Sequence, residues 1–278
     1  MRVLVTGAGG MLGRDLTAAA ADAEIVALTR EDLDIRDATA AAGAVAAARP
    51  EVVINCAAWT DVDGAEREEA AALAVNGDGA GNLALAANAA GARLIHVSTD
   101  YVFDGTARTP YVESDEPAPR GAYGRTKLAG ERAVLAAPGA HAVVRTAWLF
   151  GPHGRNFVAT MLGLARQGRE EVAVVTDQVG CPTFTGHLAV KLLDLARGGG
   201  SGIFHEAGAG RCSWFEFARA IFAHAGLEVR VTPTTSAEFV RPAARPAWSV
   251  LASERDPEPL PPWQDGLAAY FAALGAPA

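Results

Sequence analysis

The chain has 278 residues, half of them apolar, 20% charged and only 7% aromatic, with 30 Gly and 15 Pro. These figures exclude a disulfide-stapled miniprotein and a disordered chain, and fit one large domain or two small ones with ample residues for a core. A net charge of -8 argues against a general binder of nucleic acid or acidic membranes, so an anionic ligand must be met locally, by a few cations or by backbone N–H groups.

In chain order, residues 3–5 form a short β-branched run that ends in a Gly-rich turn, and residues 11–21 read as a helix. The opening apolar run stops at Thr6-Gly7, short of a signal segment or a membrane span of ~20 residues, so a cytoplasmic enzyme is expected. Residues 24–28 are a second strand candidate. An Ala-rich helix over 37–49 is closed by Pro50, and 51–55 is a buried strand. A long helical stretch over 65–90, interrupted near Asn76-Gly77, leads to a strand at 94–98. A polar loop at 110–119 precedes a helix over 123–136 and a strand over 142–146.

Apolar strands alternating with helices indicate a parallel sheet covered on both faces. After Phe150-Gly151-Pro152 the predicted strands shorten. We read residues 1–150 as the cofactor-binding part and 151–278 as mainly substrate-binding. Strands at 172–175 and 203–205 are candidates to rejoin the first sheet. The Gly-rich stretch at 197–202 is too short to link independent domains. Cys56, Cys181 and Cys212 are too few and scattered for a disulfide framework or a zinc site.

The first turn, Thr6-Gly7-Ala8-Gly9-Gly10-Met11-Leu12-Gly13, spaces glycines as Gly7-x-x-Gly10-x-x-Gly13 between a strand and a helix. Gly7 suits the tight turn, Gly10 clears space for a pyrophosphate, and Gly13 allows close helix–strand packing. The helix N-terminus adds donors and a positive dipole end. The expected fold is therefore α/β, a Rossmann-like doubly wound parallel sheet with a smaller C-terminal substrate-binding α/β region. Thr29-Arg30 stands where a ribose-binding carboxylate is expected. Arg30 favours a 2′-phosphate, hence NADPH over NADH, although Glu31 and Asp32 weaken that preference. Asp34-Ile35 is a candidate border for the adenine.

Tyr123 and Lys127, at i and i+4, share one helix face. A phenol with its ordinary pKa of ~10 is a poor acid–base group at neutral pH, and a neighbouring ammonium is expected to lower it. Ser98-Thr99-Asp100 at a strand end offers hydroxyls to a substrate carbonyl, in the place where open parallel sheets bind ligands.

In these segments the chain resembles the extended short-chain dehydrogenase/reductase superfamily, and more closely the dTDP-4-dehydrorhamnose reductase family. The resemblance runs along nearly the whole chain. It is carried by the stretches at 50–63, 98–105, 123–131, 145–151, 156–157, 177–183 and 262–267. Ser-Thr-Asp-Tyr-Val-Phe at 98–103 and Asp-Gln-x-Gly-x-Pro-Thr at 177–183 are its most specific parts.

The resemblance implies Thr99, Tyr123 and Lys127 as the catalytic residues. It places Gly10, Met11 and Leu12 on the pyrophosphate and Asp34 and Ile35 beside the adenine. Ala58, Trp59 and Thr60 then border the ribose and nicotinamide, with Val97 beneath, and Asp100 and Trp148 contact the sugar nucleotide. The implied activity is NADPH-dependent reduction of the C4 keto group of dTDP-4-dehydro-L-rhamnose. Another nucleotide-sugar 4-ketoreductase, an epimerase and a non-catalytic regulatory subunit are the alternatives. A homodimer is the implied assembly.

Some relatives hold Mg²⁺ at a dimer contact. Asp15 matches one ligand position, but Gly186 stands at another, so no metal is expected. Trp248, in Arg245-Pro246-Ala247-Trp248-Ser249-Val250-Leu251, replaces a small amide and is expected to reshape the nucleotide end of the pocket.

Overall fold

The computed structural model describes residues 1–20, 22–256 and 258–275. Six parallel strands make the main sheet. They are β1 (Arg2–Thr6), β2 (Glu24–Leu28), β3 (Val52–Asn55), β4 (Arg93–Thr99), β5 (Ala142–Thr146) and the strand Gly202–His205. From one edge to the other they lie in the order β2, β1, β3, β4, β5, Gly202–His205. Chain direction across the sheet reverses between β1 and β3. Their carboxyl ends therefore open the crevice where this class of sheet binds ligands.

Helices cover both faces. On one, α1 (Met11–Ala19) and the helix Thr185–Gly198 bury Leu12 and Leu16 against Leu188, Leu192 and Leu193. On the other, α2 (Ala38–Ala48) and α5 (Gly79–Ala89) pack Ala41 and Val45 with Leu83, Ala84 and Ala87 over Leu4, Val53 and Leu94. Small side chains let these helices approach closely, which is what the Ala excess supplies. Asp37 caps α2 by accepting from the N–H groups of Thr39 and Ala40, and Arg49 ends it in a left-handed conformation at φ 45°. The expected helix over 11–21 stops at Ala19, and Ala21 lies outside the described residues.

The stretch expected as one interrupted helix is built from four pieces: α3 (Val62–Arg67), α4 (Glu69–Leu73), a π-helical turn Ala74–Asp78, and α5. The interruption foreseen at Asn76-Gly77 is this π turn. Helix α6 (Ala122–Ala136) follows β4.

The strand Gly202–His205 does rejoin the main sheet, beside β5. Residues 171–175 do not. They pair with Arg230–Thr234. Most of the strand is buried on one face only: Val172 and Val174 join a second core with Phe150, Met161, Phe217, Ile221, Trp263 and Phe271, while Glu171 and Ala173 on the other face are exposed. A one-faced strand suits a small sheet on that core and not the interior of a sheet covered on both sides. Beyond β5 most strands are two residues long, among them Leu149–Phe150, Val179–Gly180 and Thr183–Phe184. Among the described residues no helix is long and apolar enough to cross a membrane. Cys56, Cys181 and Cys212 are free thiols.

Candidate active site

The glycine turn sits at the carboxyl end of β1. Gly7 has φ +69°, and a Cβ there would stand 2.5 Å from the Ala57 nitrogen, so a side chain is excluded twice over. A Cβ on Gly13 would meet the Gly7 carbonyl at 2.5 Å and the Ala8 Cα at 2.7 Å, which is the close helix–strand contact expected of it. Gly10 is the N-cap of α1 and has no side chain to cap it. The helical ladder begins with Arg14 N–H to the Gly10 carbonyl. The N–H groups of Met11, Leu12 and Gly13 therefore have no acceptor within the helix and face the crevice end. The Leu12 side chain is in the core.

At the end of β2, the Thr29 N–H and hydroxyl donate to Asp32 Oδ2 at 2.9 and 2.8 Å. This ties Asp32 down and leaves exposed Arg30 in no ion pair among the described residues. Asp34 accepts a bidentate pair of bonds from Arg36, and its carboxyl is held at about 2 by those bonds. Ile35 differs from expectation. Its side chain is core, in the place where a Cβ on Gly79 would lie 2.7 Å from its Cγ1, and its carbonyl accepts from Asn82. An apolar side chain next to a buried helix joins the core before it borders a ligand.

The loop Ala58–Thr60 leaves the end of β3 and is held by Asn76. That fully buried amide accepts from Trp59 N–H at 2.8 Å and donates to the Trp59 carbonyl at 3.2 Å and the Thr126 hydroxyl at 3.1 Å. Asn76 thus joins this loop to α6. It was not among the expected site residues. Its only sequence signal was the break it makes in an Ala-rich helix, and π turns inside helices often mark functional sites.

Thr99 ends β4, and its hydroxyl donates to Asp100 Oδ1 at 3.0 Å. The first turn of α6 is pressed onto the turn that follows. A Cβ on Gly124 would stand 2.2 Å from the Tyr101 carbonyl oxygen. This contact brings Tyr123 to Thr99, with the Tyr123 ring edge-on to Tyr101 at 5.7 Å. Burial pushes the Tyr123 phenol up to about 12. The Thr99 hydroxyl opposes that rise and the Asp100 carboxylate adds to it. The expected lowering by Lys127 is absent for a geometric reason. Lys127 is buried, 2% exposed, and its Nζ donates to the Val97 carbonyl at 2.7 Å and lies 3.3 Å from His96 Nε2. Burial brings the ammonium down to about 8, against the pull of Glu131 and Cys56.

Asp100 is buried, and burial raises its carboxyl to about 7. Its Oδ2 and the neighbouring Ser249 hydroxyl have no hydrogen-bond partner among the described residues. Trp148 takes φ 46° and stacks face to face on Trp214, ring centres 3.5 Å apart. Gly180, in the loop expected on the substrate side, lies flat against it, since a Cβ there would be 2.4 Å from the Trp148 ring. Trp214 went unnoticed in the sequence because it opens a helix 66 positions beyond Trp148 and shares no pattern with it. Trp248 is half-buried. Its Nε1 donates to the Thr109 carbonyl at 2.9 Å, and the Arg211 guanidinium lies 5.1 Å from its ring. The segment carrying it crosses the site, with Val179 N–H on the Ala247 carbonyl and Tyr111 N–H on the Val250 carbonyl.

The residues do not fit a divalent cation at Asp15. Its carboxylate accepts from the Thr185 hydroxyl and stands 3.5 Å from His153 Nε2. Gly186 contributes no ligand, and among the described residues no group of three or more His, Cys, Asp or Glu could hold a metal ion.

The profile of the RmlD substrate binding domain family matches residues 1–275. A dTDP-4-dehydrorhamnose reductase of Mycobacterium tuberculosis is 50% identical over 100% of this chain and 93% of its own length. A dTDP-4-keto-6-deoxy-D-glucose reductase of Streptomyces niveus is 47% identical over 99% of this chain and 98% of its own. Among solved structures, the dTDP-4-dehydrorhamnose reductase of Bacillus anthracis in complex with NADP superimposes with a TM-score of 0.95 at 39% identity, covering 98% of this chain and 99% of that one. By profile, sequence and fold, the chain belongs to the RmlD substrate binding domain family, alongside the dTDP-4-dehydrorhamnose reductases.

Proposed function

We propose that this chain reduces the C4 keto group of dTDP-4-dehydro-L-rhamnose to give dTDP-L-rhamnose, with NADPH as reductant. The observation that carries the reading is the Thr99 hydroxyl bonded to Tyr123 at the carboxyl end of β4, with Lys127 buried one turn further along the same helix. Relatives bearing the reductase name over nearly their whole length support the activity, and a close structural neighbour holding NADP supports the cofactor.

The residues fit the cofactor. The turn Gly7, Gly10, Met11, Leu12 and Gly13 would hold the pyrophosphate, Thr29 and Arg30 the adenosine ribose and its phosphate, and Asp34 the adenine. Ala58, Trp59, Thr60 and Val97 would line the nicotinamide side. When bound, the reduced nicotinamide supplies a hydride to the C4 carbon. The protein's part is to place and protonate. Tyr123 gives its phenolic proton to the C4 oxygen as the carbon accepts the hydride. A phenol held at about 12 is fully protonated at neutral pH and so is loaded for this step. Thr99 turns its hydroxyl from Asp100 to that oxygen and stabilises the developing charge. Asp100 and Trp148 hold the sugar nucleotide, and residues 151–278 form most of the substrate side. Both residues are present, Tyr123 half-buried and Lys127 buried, which favours an enzyme over a regulatory subunit. A cytoplasmic location belongs to the same proposal.

The test is direct. Mixed with the authentic 4-keto sugar nucleotide and NADPH, the protein consumes the reduced nicotinamide and yields the 4-hydroxy sugar nucleotide. No oxidation of NADPH or NADH under those conditions defeats the reading.

A further inference from the structure

A chain of hydrogen bonds lies beneath Lys127, across the middle of the sheet, and none of its members other than the lysine belongs to the site above. It starts at Asn55, the last residue of β3. Asn55 Oδ1 accepts from the Ala57 N–H at 2.9 Å and from the Thr6 hydroxyl at 2.8 Å. A backbone N–H can only donate, so the oxygen of this amide is identified and its NH₂ must point the other way. There it meets His96 Nδ1 at 3.0 Å. An NH₂ also only donates, so Nδ1 is the unprotonated ring nitrogen and Nε2 carries the hydrogen. His96 is 0% exposed, and burial keeps it from taking a second proton. The Nε2–H faces Lys127 Nζ at 3.3 Å.

An ammonium has three donors and no acceptor, so it meets this N–H donor to donor. An amine has a lone pair to accept it, and still donates to the Val97 carbonyl at 2.7 Å. The other groups facing Lys127 are few. Cys56, beyond the end of β3, is a neutral thiol pushed up to about 12 by burial. Glu131, on the same helix, is already occupied by the Arg145 guanidinium of β5 at 2.8 Å and the Ser98 hydroxyl of β4 at 2.5 Å.

We propose that His96 is a positioning residue for Lys127: held in its Nε2–H tautomer by Asn55, it offers the lysine a donor only and thereby favours amine over ammonium. The proposal rests on the reductase reading for its kinetic consequence but not for its structural one.

Two measurements test it. Long-range ¹H–¹⁵N spectra of the histidine-labelled, cofactor-free protein should show the His96 ring with a protonated Nε2 and a bare Nδ1 between about pH 6 and 9. A protonated Nδ1 overturns the proposal. The second uses Asn55→Asp. A carboxylate there only accepts, so the ring reverses to Nδ1–H and presents Nε2 as an acceptor to the ammonium. The alkaline limb of kcat/KM for ketoreduction should then move upward by about one pH unit or more. A reversed tautomer with an unmoved limb overturns the proposal. If Asn55→Asp does not fold, the wild-type spectrum decides alone. A wild-type enzyme inactive on authentic substrate defeats the reductase reading and leaves the tautomer test intact.

Discussion

Three side chains carry the proposed chemistry, and each is set by its surroundings in a way that can be measured. Tyr123→Phe removes the proton that Tyr123 gives while keeping the ring against Tyr101, and should lower kcat roughly a hundredfold with little change in stability. Turnover of NADPH under saturating substrate checks it, and a wild-type rate would take Tyr123 out of the acid role. Asp100 yields a prediction of opposite kind. Its carboxyl is raised to about 7 by burial, so the folded protein binds a proton there that the unfolded chain releases near pH 4. Stability from this group is complete below the unfolded value and is lost as pH rises through about 7. Asp100→Asn should therefore be more resistant to urea than the wild type at pH 8 and much less so at pH 5, while its activity falls. Equal gains at both pH values would show that the carboxyl is not perturbed. At this scale Tyr123 and Lys127 were legible in the sequence through their i, i+4 spacing, and Thr99 through resemblance. Their pKa values were not legible, because burial depends on what the rest of the chain lays over them.

The elements deliver those side chains through a few close approaches that only glycine permits. Gly124→Ala would drive a Cβ into the Tyr101 carbonyl and against Pro119, moving the first turn of α6 away from Thr99. We expect a loss of about 1–3 kcal/mol in urea unfolding, with a fall in kcat greater than the change in KM. Gly43→Ala is its control. It lies in α2 with nothing among the described residues within 4 Å of the new Cβ, so it should stabilise by about 0.5–1 kcal/mol and leave activity unchanged. The strands β1 to β5 and the helices between them were readable from apolar runs and their punctuation. Local residues and buried positions point the same way there. The π turn at Ala74–Asp78 could be read only as an interruption, because its geometry answers to Gly130, whose Cβ would collide with the Asn76 carbonyl at 2.0 Å. The pairing of residues 171–175 with Arg230–Thr234 was not readable either, since a five-residue β-branched run fits equally into a main sheet or a small one until its partner is known.

For the molecule as a whole, the awkward quantity is a net charge of -8 on a protein proposed to hold two phosphate-bearing ligands. Repulsion between that charge and an approaching dinucleotide acts over a Debye length, about 10 Å at 0.1 M salt, and fades as salt is added. The bonds offered by the Met11, Leu12 and Gly13 N–H groups act at contact and are not screened in the same way. If backbone donors carry the pyrophosphate, the Kd for NADH should stay level or fall between about 0.01 and 0.3 M salt. On the proposed binding NADPH would add a 2′-phosphate near the exposed end of β2, where Arg30 stands in no ion pair among the described residues. Its binding should weaken with salt, and Arg30→Ala should weaken NADPH several-fold while sparing NADH. Isothermal titration of both cofactors against both proteins at the two salt concentrations separates the terms. A steep salt-driven loss of NADH would show that side-chain cations, and not the glycine turn, supply the anion site. An Arg30→Ala protein that still prefers NADPH would move the recognition of the 2′-phosphate to another residue.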